Sequence, residues 1–225
     1  MFNRFFNALG GSYIISEGQA TYGEKTEKFH KFVKVQLPHH DIKPSKILAL
    51  DIDDTLLAIR KSRDEKKTCI LNKHEIKHIF LTAKKKNIML VLVTSRFFLA
   101  AKAGRYSLPS VLMQLGASNF SFVFFTNGEH KNFVLEHLHS QYFNKKYFCQ
   151  KSMRDKICLI DNDIGYLEPC DSLGFDTILV DAENKYLQAM RDFIKDLRPL
   201  VIPKPIFLLS PETEDELSER LQVMF

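Results

Sequence analysis

The sequence predicts an α/β fold, with a central parallel sheet covered by helices on both faces. Two observations carry this. Short apolar runs recur along the chain without the polar alternation of a half-solvated strand: Ile47–Leu50, Ile88–Val93, Phe122–Phe125, Ile157–Ile160 and Thr177–Val180. Segments with helical spacing separate the early ones. The 225 residues, 45% of them hydrophobic and 26% charged, suffice for one domain with a full core and exclude wholesale disorder or a fibrous repeat. In such sheets the chemistry sits at the carboxyl ends of the strands, so the polar residues there are the first to inspect.

Residues 1–45 read as an appendage, rich in glycine and ending in the loop-like PHHDIKP. The first strand is Lys46–Leu50, running into Asp51. Residues 72–87 form a helix with Ile76, Ile79 and Phe80 on one face. Residues 88–93 are the second strand. Helical stretches follow near 97–103 and 109–115, the latter stopped by Gly116. Phe122–Phe125 is the third strand, Lys131–His139 a helix, and Ile157–Ile160 and Thr177–Val180 the last two strands. Pro199, Pro203 and Pro205 mark an irregular connector. Ser210-Pro211-Glu212 then opens a terminal helix, with an N-cap, a first-turn proline and an acidic first turn. The domain boundaries read from this are 1–45, 46–198 and 199–225.

Several classes are excluded or set aside. No apolar run approaches the roughly 18 residues of a membrane span, and the MFNRFFNALGG start lacks the continuous apolar core of a signal peptide. Four cysteines without CxxC or zinc-ribbon spacing read as reduced thiols in a cytoplasmic setting. The formal charge of +5 is uneven. Residues 1–110 carry 20 Lys and Arg against 10 Asp and Glu, and residues 111–225 carry 12 against 17. Arg60, Lys61, Arg63, Lys66, Lys67 and Lys84–Lys86 supply much of the excess. They form either a solvated face or a field for an anionic partner. That partner is expected to be a macromolecule, with no specific nucleic-acid binding. The basic half and the apolar residues around Arg4 also suit docking on an acidic membrane surface.

The most informative segment is Ile47-Leu48-Ala49-Leu50-Asp51-Ile52-Asp53-Asp54-Thr55. A buried strand delivers three carboxylates within four positions, an arrangement that raises their pKa values unless a cation is present. A hard divalent ion with oxygen ligands, most simply Mg2+, resolves the conflict. Asp51 and Asp53 stand two positions apart, so one carboxylate can attack an electrophile while the other handles a proton.

DIDDT after a buried strand resembles the DxDxT motif of the haloacid dehalogenase (HAD) superfamily of phosphatases and phosphotransferases. The resemblance implies a three-layer Rossmann-like fold over roughly residues 46–182. It implies Asp51 as the nucleophile that becomes an aspartyl-phosphate, Asp53 as general acid and base, and the Asp53 carbonyl as a Mg2+ ligand. IMLVLV-Thr94-Ser95-Arg96 is similar to the second motif, a strand ending in a hydroxyl that binds the phosphoryl group; Thr94 is preferred, then Ser95, with Arg96 as a further substrate contact. ICLI-Asp161-Asn162-Asp163 is similar to the fourth motif in its Asp-Asn form, seen in phosphatases of phosphoproteins. Asn162 would contact Mg2+, with Asp161 in support and Asp163 as the alternative ligand. Lys131 is the choice for the third-motif lysine, with Lys145 and Lys151 as alternatives.

The spacing leaves no room for a large cap domain, so the site is expected to be open and to admit a large substrate. A phosphoprotein fits, with phosphotyrosine favoured because Phe97 and Phe98 could stack its ring, although both Phe residues also suit a core. Phosphoinositides and nucleotides are the alternative substrates. A docking module that keeps only the site's geometry is the reading from a different class. His74-Glu75-Ile76-Lys77-His78 also spells HExxH, the zinc-protease signature. It lacks a third ligand, since no Asp or Glu occurs from Ile76 to Gly128, and its helix serves the sheet's first crossover. The acidic PETEDELSER resembles glutamate-rich translocation signals of bacterial effectors delivered into host cells. The first turn of a helix accounts for the same acids.

Overall fold

A computed structural model describes residues 15–20, 30–37, 43–61, 66–96, 108–143, 153–181 and 183–196. The strands are β1 (Ile15–Ala20), β2 (His30–Gln36), β3 (Lys46–Leu50), β4 (Leu57–Lys61), β5 (Lys66–Ile70), β6 (Ile88–Thr94), β7 (Phe122–Phe125), β8 (Ile157–Asp161) and β9 (Asp176–Leu179). The helices are α1 (Lys73–Lys85), α2 (Leu108–Leu115), α3 (Asn132–Tyr142), α4 (Ile164–Ser172) and α5 (Lys185–Ile194). Seven strands form one sheet in the order β1-β2-β7-β6-β3-β8-β9, while β4 and β5 form a separate hairpin.

The strands from β7 to β9 in that order run parallel, as expected. β3 is central, paired with β6 on one side (Leu50 beside Leu92) and β8 on the other (Leu50 beside Ile160). All residues of β3, β6, β7 and β8 are buried, which explains why these strands read as unbroken apolar runs. Side chains still alternate between two layers. Leu48, Leu50, Leu90, Leu92, Cys158 and Ile160 pack with α1, α2 and α5. Ile47, Ala49, Val91, Val93, Ile157 and Leu159 pack with α3 and α4. The result is three layers with two cores.

The departure from expectation lies at one end of the sheet. Part of the stretch assigned to an appendage belongs to the sheet: β2 pairs antiparallel with β7, and β1 pairs antiparallel with β2. The boundary after residue 45 therefore shifts toward the amino terminus. The cause is period-two alternation in Phe32-Val33-Lys34-Val35-Gln36-Leu37. Phe32 enters one core while Val35 and Leu37 enter the other, and Lys34 lies over the Phe122 ring at 4.1 Å. At the opposite end of the sheet, α4 and α5 cover β8 and β9.

At the amino end of β3, Lys46 is buried under α5. Its Nζ donates to the Phe193 carbonyl at 2.5 Å and pairs with Asp196 at 2.7 Å, so the last turn of α5 is tied to the central strand. The β4–β5 hairpin follows Thr55 and returns to the fold through Leu71, whose N–H donates to the Leu56 carbonyl. Its register sets Arg60 opposite Lys67 and Lys61 opposite Lys66. Among the described residues this hairpin is the only element inserted between the carboxylate motif and α1. The helix near 97–103, Arg63, Phe97, Phe98, Cys149, Lys145, Lys151 and the terminal segment 199–225 lie outside the described residues.

Candidate active site

Strand geometry carries the key side chains to one place. Positions 47, 49 and 51 point to the same side of β3, and 157, 159 and 161 to the same side of β8. Asp51 and Asp161 thus continue the faces that pack against α3 and α4. The two strands are in direct register, and the Asp51 N–H donates to the Ile160 carbonyl at 2.9 Å. Lys131 is the N-cap residue of α3, in the same layer.

The outcome is a buried ion triad. Lys131 Nζ donates to Asp51 Oδ1 at 2.5 Å and to Asp161 Oδ2 at 2.6 Å. Lys131 and Asp161 are each 1% exposed and Asp51 is 4% exposed. Burial raises the Asp51 carboxyl, Lys131 lowers it and Asp161 raises it again, leaving it at about 6. Burial pulls the Lys131 ammonium down, but its two carboxylate neighbours outweigh this and its pKa is raised. The two shifts agree physically. One ammonium shared between two carboxylates leaves the triad one negative charge in excess, so a further positive charge is favoured there.

Asp53 lies two residues on and faces outward. Arg96 grips it bidentately, with Nε donating to Oδ2 at 2.7 Å and Nη2 to Oδ1. The backbone turns sharply at Asp54, which is in the left-handed region at φ 55°. A short Asp tolerates that region better than a bulky residue, which accounts for the third carboxylate of the motif without a catalytic role. Asp54 N–H closes the turn on the Leu57 carbonyl at 2.7 Å.

Thr94, the last residue of β6, is fully buried, and its Oγ1 accepts the Arg96 N–H at 3.3 Å. Its carbonyl accepts from Thr126 N–H at 2.9 Å, and the Ser95 carbonyl accepts from Gly128 N–H at 2.8 Å. These bonds lock the loop after β6 to the turn that leads into Lys131. Asn127 and Gly128 supply the positive φ angles of that turn, 54° and 89°.

Beyond β8, Asp161 Oδ1 accepts the Asp163 N–H at 3.0 Å, and Asp163 caps α4 by accepting from Gly165 N–H at 2.8 Å. The exposed Asn162 accepts from Thr55 Oγ1 at 3.2 Å. Thr55 is wholly buried and belongs to the DIDDT segment, yet its bridging role needs the β3–β8 pairing to become visible. The site thus brings together Asp51, Lys131 and Asp161 by direct contact, with Asp53 and Arg96 paired beside them.

The donor set around the strand ends fits a hard divalent cation. Asp51, the Asp53 carbonyl and Asn162 offer oxygens only, and the triad has a negative excess. Both Asp161 oxygens have partners within the fold, Lys131 and the Asp163 N–H, and the Asn162 oxygen would be shared between a cation and the Thr55 hydroxyl. Among the described residues no group of three His, Cys, Asp and Glu side chains is arranged to hold a metal. His74, Glu75 and His78 lie on the exposed face of α1 with no such third ligand, so the HExxH spelling reflects a solvated helix face. Burial of Ile76, Ile79 and Phe80 explains the remaining pattern of that helix.

Neither a protein-family profile nor the sequence of a curated protein matches the chain. Solved structures do. A protein from Mesorhizobium loti described as a HAD-like phosphatase superposes with a TM-score of 0.51 at 11% identity, covering 74% of this chain and 94% of its own. The 3-deoxy-D-manno-octulosonate 8-phosphate phosphatase of Moraxella catarrhalis gives a TM-score of 0.42 at 14% identity, over 68% of this chain and 87% of that one. A hypothetical protein from Xanthomonas campestris gives 0.41 at 11% identity, over 81% and 89%. The chain therefore shares the overall fold of the Mesorhizobium loti protein. Among the described residues, no helix is long and apolar enough to cross a membrane.

Proposed function

We propose that the protein is a phosphatase that hydrolyses a phosphomonoester through an aspartyl-phosphate on Asp51. The observation that carries this is the triad: a buried carboxylate at the end of the central strand, held by one lysine that also binds a second carboxylate. Such a carboxylate is fixed in direction and partly stripped of water, as an in-line nucleophile requires.

An Asp51 oxygen attacks phosphorus and the bond to the ester oxygen breaks. Asp53 gives its proton to the leaving oxygen. Asp53 then takes a proton from water as that water attacks the phosphoryl group, which releases Asp51 and inorganic phosphate. The Thr94 hydroxyl and the Lys131 ammonium are the groups that hold phosphoryl oxygens. Asp51, the Asp53 carbonyl and Asn162, supported by Asp161, would hold Mg2+, which supplies charge neutralisation when bound.

The favoured substrate is a phosphoprotein, with phosphotyrosine first. Asp53, Asn162 and Asp163 are all exposed, so the mouth of the site opens to solvent and accepts a phosphorylated side chain on a large partner. Activity with Mg2+ and with EDTA against phosphotyrosine and phosphoserine peptides, phosphoinositides and nucleotides tests the reading. Phosphotyrosine peptides are expected to lead, and Asp51→Asn to lose ~10³-fold or more in turnover while staying folded. Full p-nitrophenyl phosphate hydrolysis by that variant would remove the mechanism, and a lead for nucleotides or phosphoinositides would replace the substrate.

A further inference from the structure

The buried ammonium of Lys131 has a third neighbour. Beyond Asp51 and Asp161, its Nζ lies 4.5 Å from the centre of the Tyr166 ring. Tyr166 sits in the first turn of α4, five residues after Asp161. Asp163 fixes that turn twice, by capping Gly165 N–H and by accepting the Tyr166 N–H on its carbonyl at 3.1 Å. Tyr166 itself is only half-buried, whereas the lysine beside it is 1% exposed.

We propose that Tyr166 is a positioning residue for Lys131, and through it for the phosphoryl-transfer step. The inference rests on the phosphatase reading above. A lysine ammonium has three donors, and two are committed to carboxylates. An aromatic face attracts the remaining positive surface electrostatically without claiming a proton outright, so it shuts out water yet yields to a stronger acceptor. A carboxylate in that place would lock the third donor, and a small side chain would admit solvent. The ring keeps the charge dry and aimed, where it acts most strongly on the charge that develops on a transferring phosphoryl group. The same segment that completes the acidic cluster, Asp161-Asn162-Asp163, thus also delivers the cover for the lysine.

The test compares Tyr166→Phe, which keeps the ring, with Tyr166→Leu, which keeps only bulk. Tyr166→Leu is expected to lower kcat for p-nitrophenyl phosphate by roughly tenfold with little change in KM, and Tyr166→Phe to stay within about twofold of wild type. In 13C-lysine-labelled protein, ring-current shielding moves the Lys131 ε-methylene signal upfield; the displacement should persist in Tyr166→Phe and vanish in Tyr166→Leu. Equal impairment of both variants, or a Tyr166→Leu enzyme with unchanged kcat, would overturn the proposal while leaving the phosphatase reading intact. A loss confined to KM for aromatic substrates would make the ring a substrate wall instead. A wild-type protein without phosphatase activity would overturn the reading of the site, and this role with it.

Discussion

Asp51 and Asp53 stand two residues apart and each pairs with a cationic side chain, but they live in different media. Asp51 and Lys131 have side chains 6% and 1% exposed; Asp53 and Arg96 have side chains 51% and 18% exposed. In the buried pair, charges attract through a medium of low polarity and cannot move without breaking the packing around them. In the outer pair, water reaches Asp53 and screens the attraction, and the carboxylate is not walled in by packing. The division suits the proposed chemistry. A nucleophile must keep one line of attack, whereas an acid and base must serve a leaving oxygen and then a water.

The sharpest way to break this comparison is to remove the shared cation. Lys131→Met would leave two buried carboxylates without their partner, and it is expected to cost about 3–5 kcal/mol in urea unfolding at pH 7. A cost below about 1 kcal/mol would mean that water reaches the triad and that the two halves are alike.

Acid sharpens the comparison without removing an atom. The Asp51 carboxyl moves from its ordinary 3.8 to about 6 in the fold, with burial as the leading cause. Because the folded state binds this proton more tightly, the contribution of Asp51 to stability is full below about pH 4 and is lost as pH rises to about 6. In EDTA the span is about 3 kcal/mol. It is read as the difference in unfolding free energy between wild type and Asp51→Asn across that window. A difference that does not vary with pH would contradict the burial of Asp51.

The smallest effect belongs to the outer pair. Arg96→Gln is expected to change unfolding free energy by less than about 1 kcal/mol. A loss equal to that of Lys131→Met would show the outer pair to be as dry as the inner one.

Much of this arrangement is legible in the sequence. Unbroken apolar strands require cover on both faces, so Asp51, Thr94 and Asp161 emerge at the same end of one sheet, and Lys131, one of three candidate lysines, opens a helix that starts near that end. What is not legible depends on contacts distant in sequence. α4 carries Gly165 and Pro169 and has little amphipathic contrast, so its helical state is set by the Asp163 cap and by packing of Leu167 and Cys170. Without α4, nothing in the residue pattern places Tyr166 beside Lys131. α5 does carry a signal, with Tyr186, Leu187, Met190, Phe193 and Ile194 buried along one face. The strand β2 is obscured because it is sheltered on alternating sides by different cores, with a lysine lying over aromatic rings.

The pairing of β2 along β7 has a practical side. The backbone of Phe122–Phe125 is a ready template for aggregation: four consecutive apolar residues, three of them aromatic, with no charge and no proline. In the intact chain, residues 33–36 occupy its outer hydrogen-bonding side. A protein shortened to begin at residue 46 would keep every residue of the proposed site and yet present that strand to its neighbours. Soluble material for biochemistry therefore calls for retaining the stretch that supplies β2, however unrelated to catalysis its sequence looks.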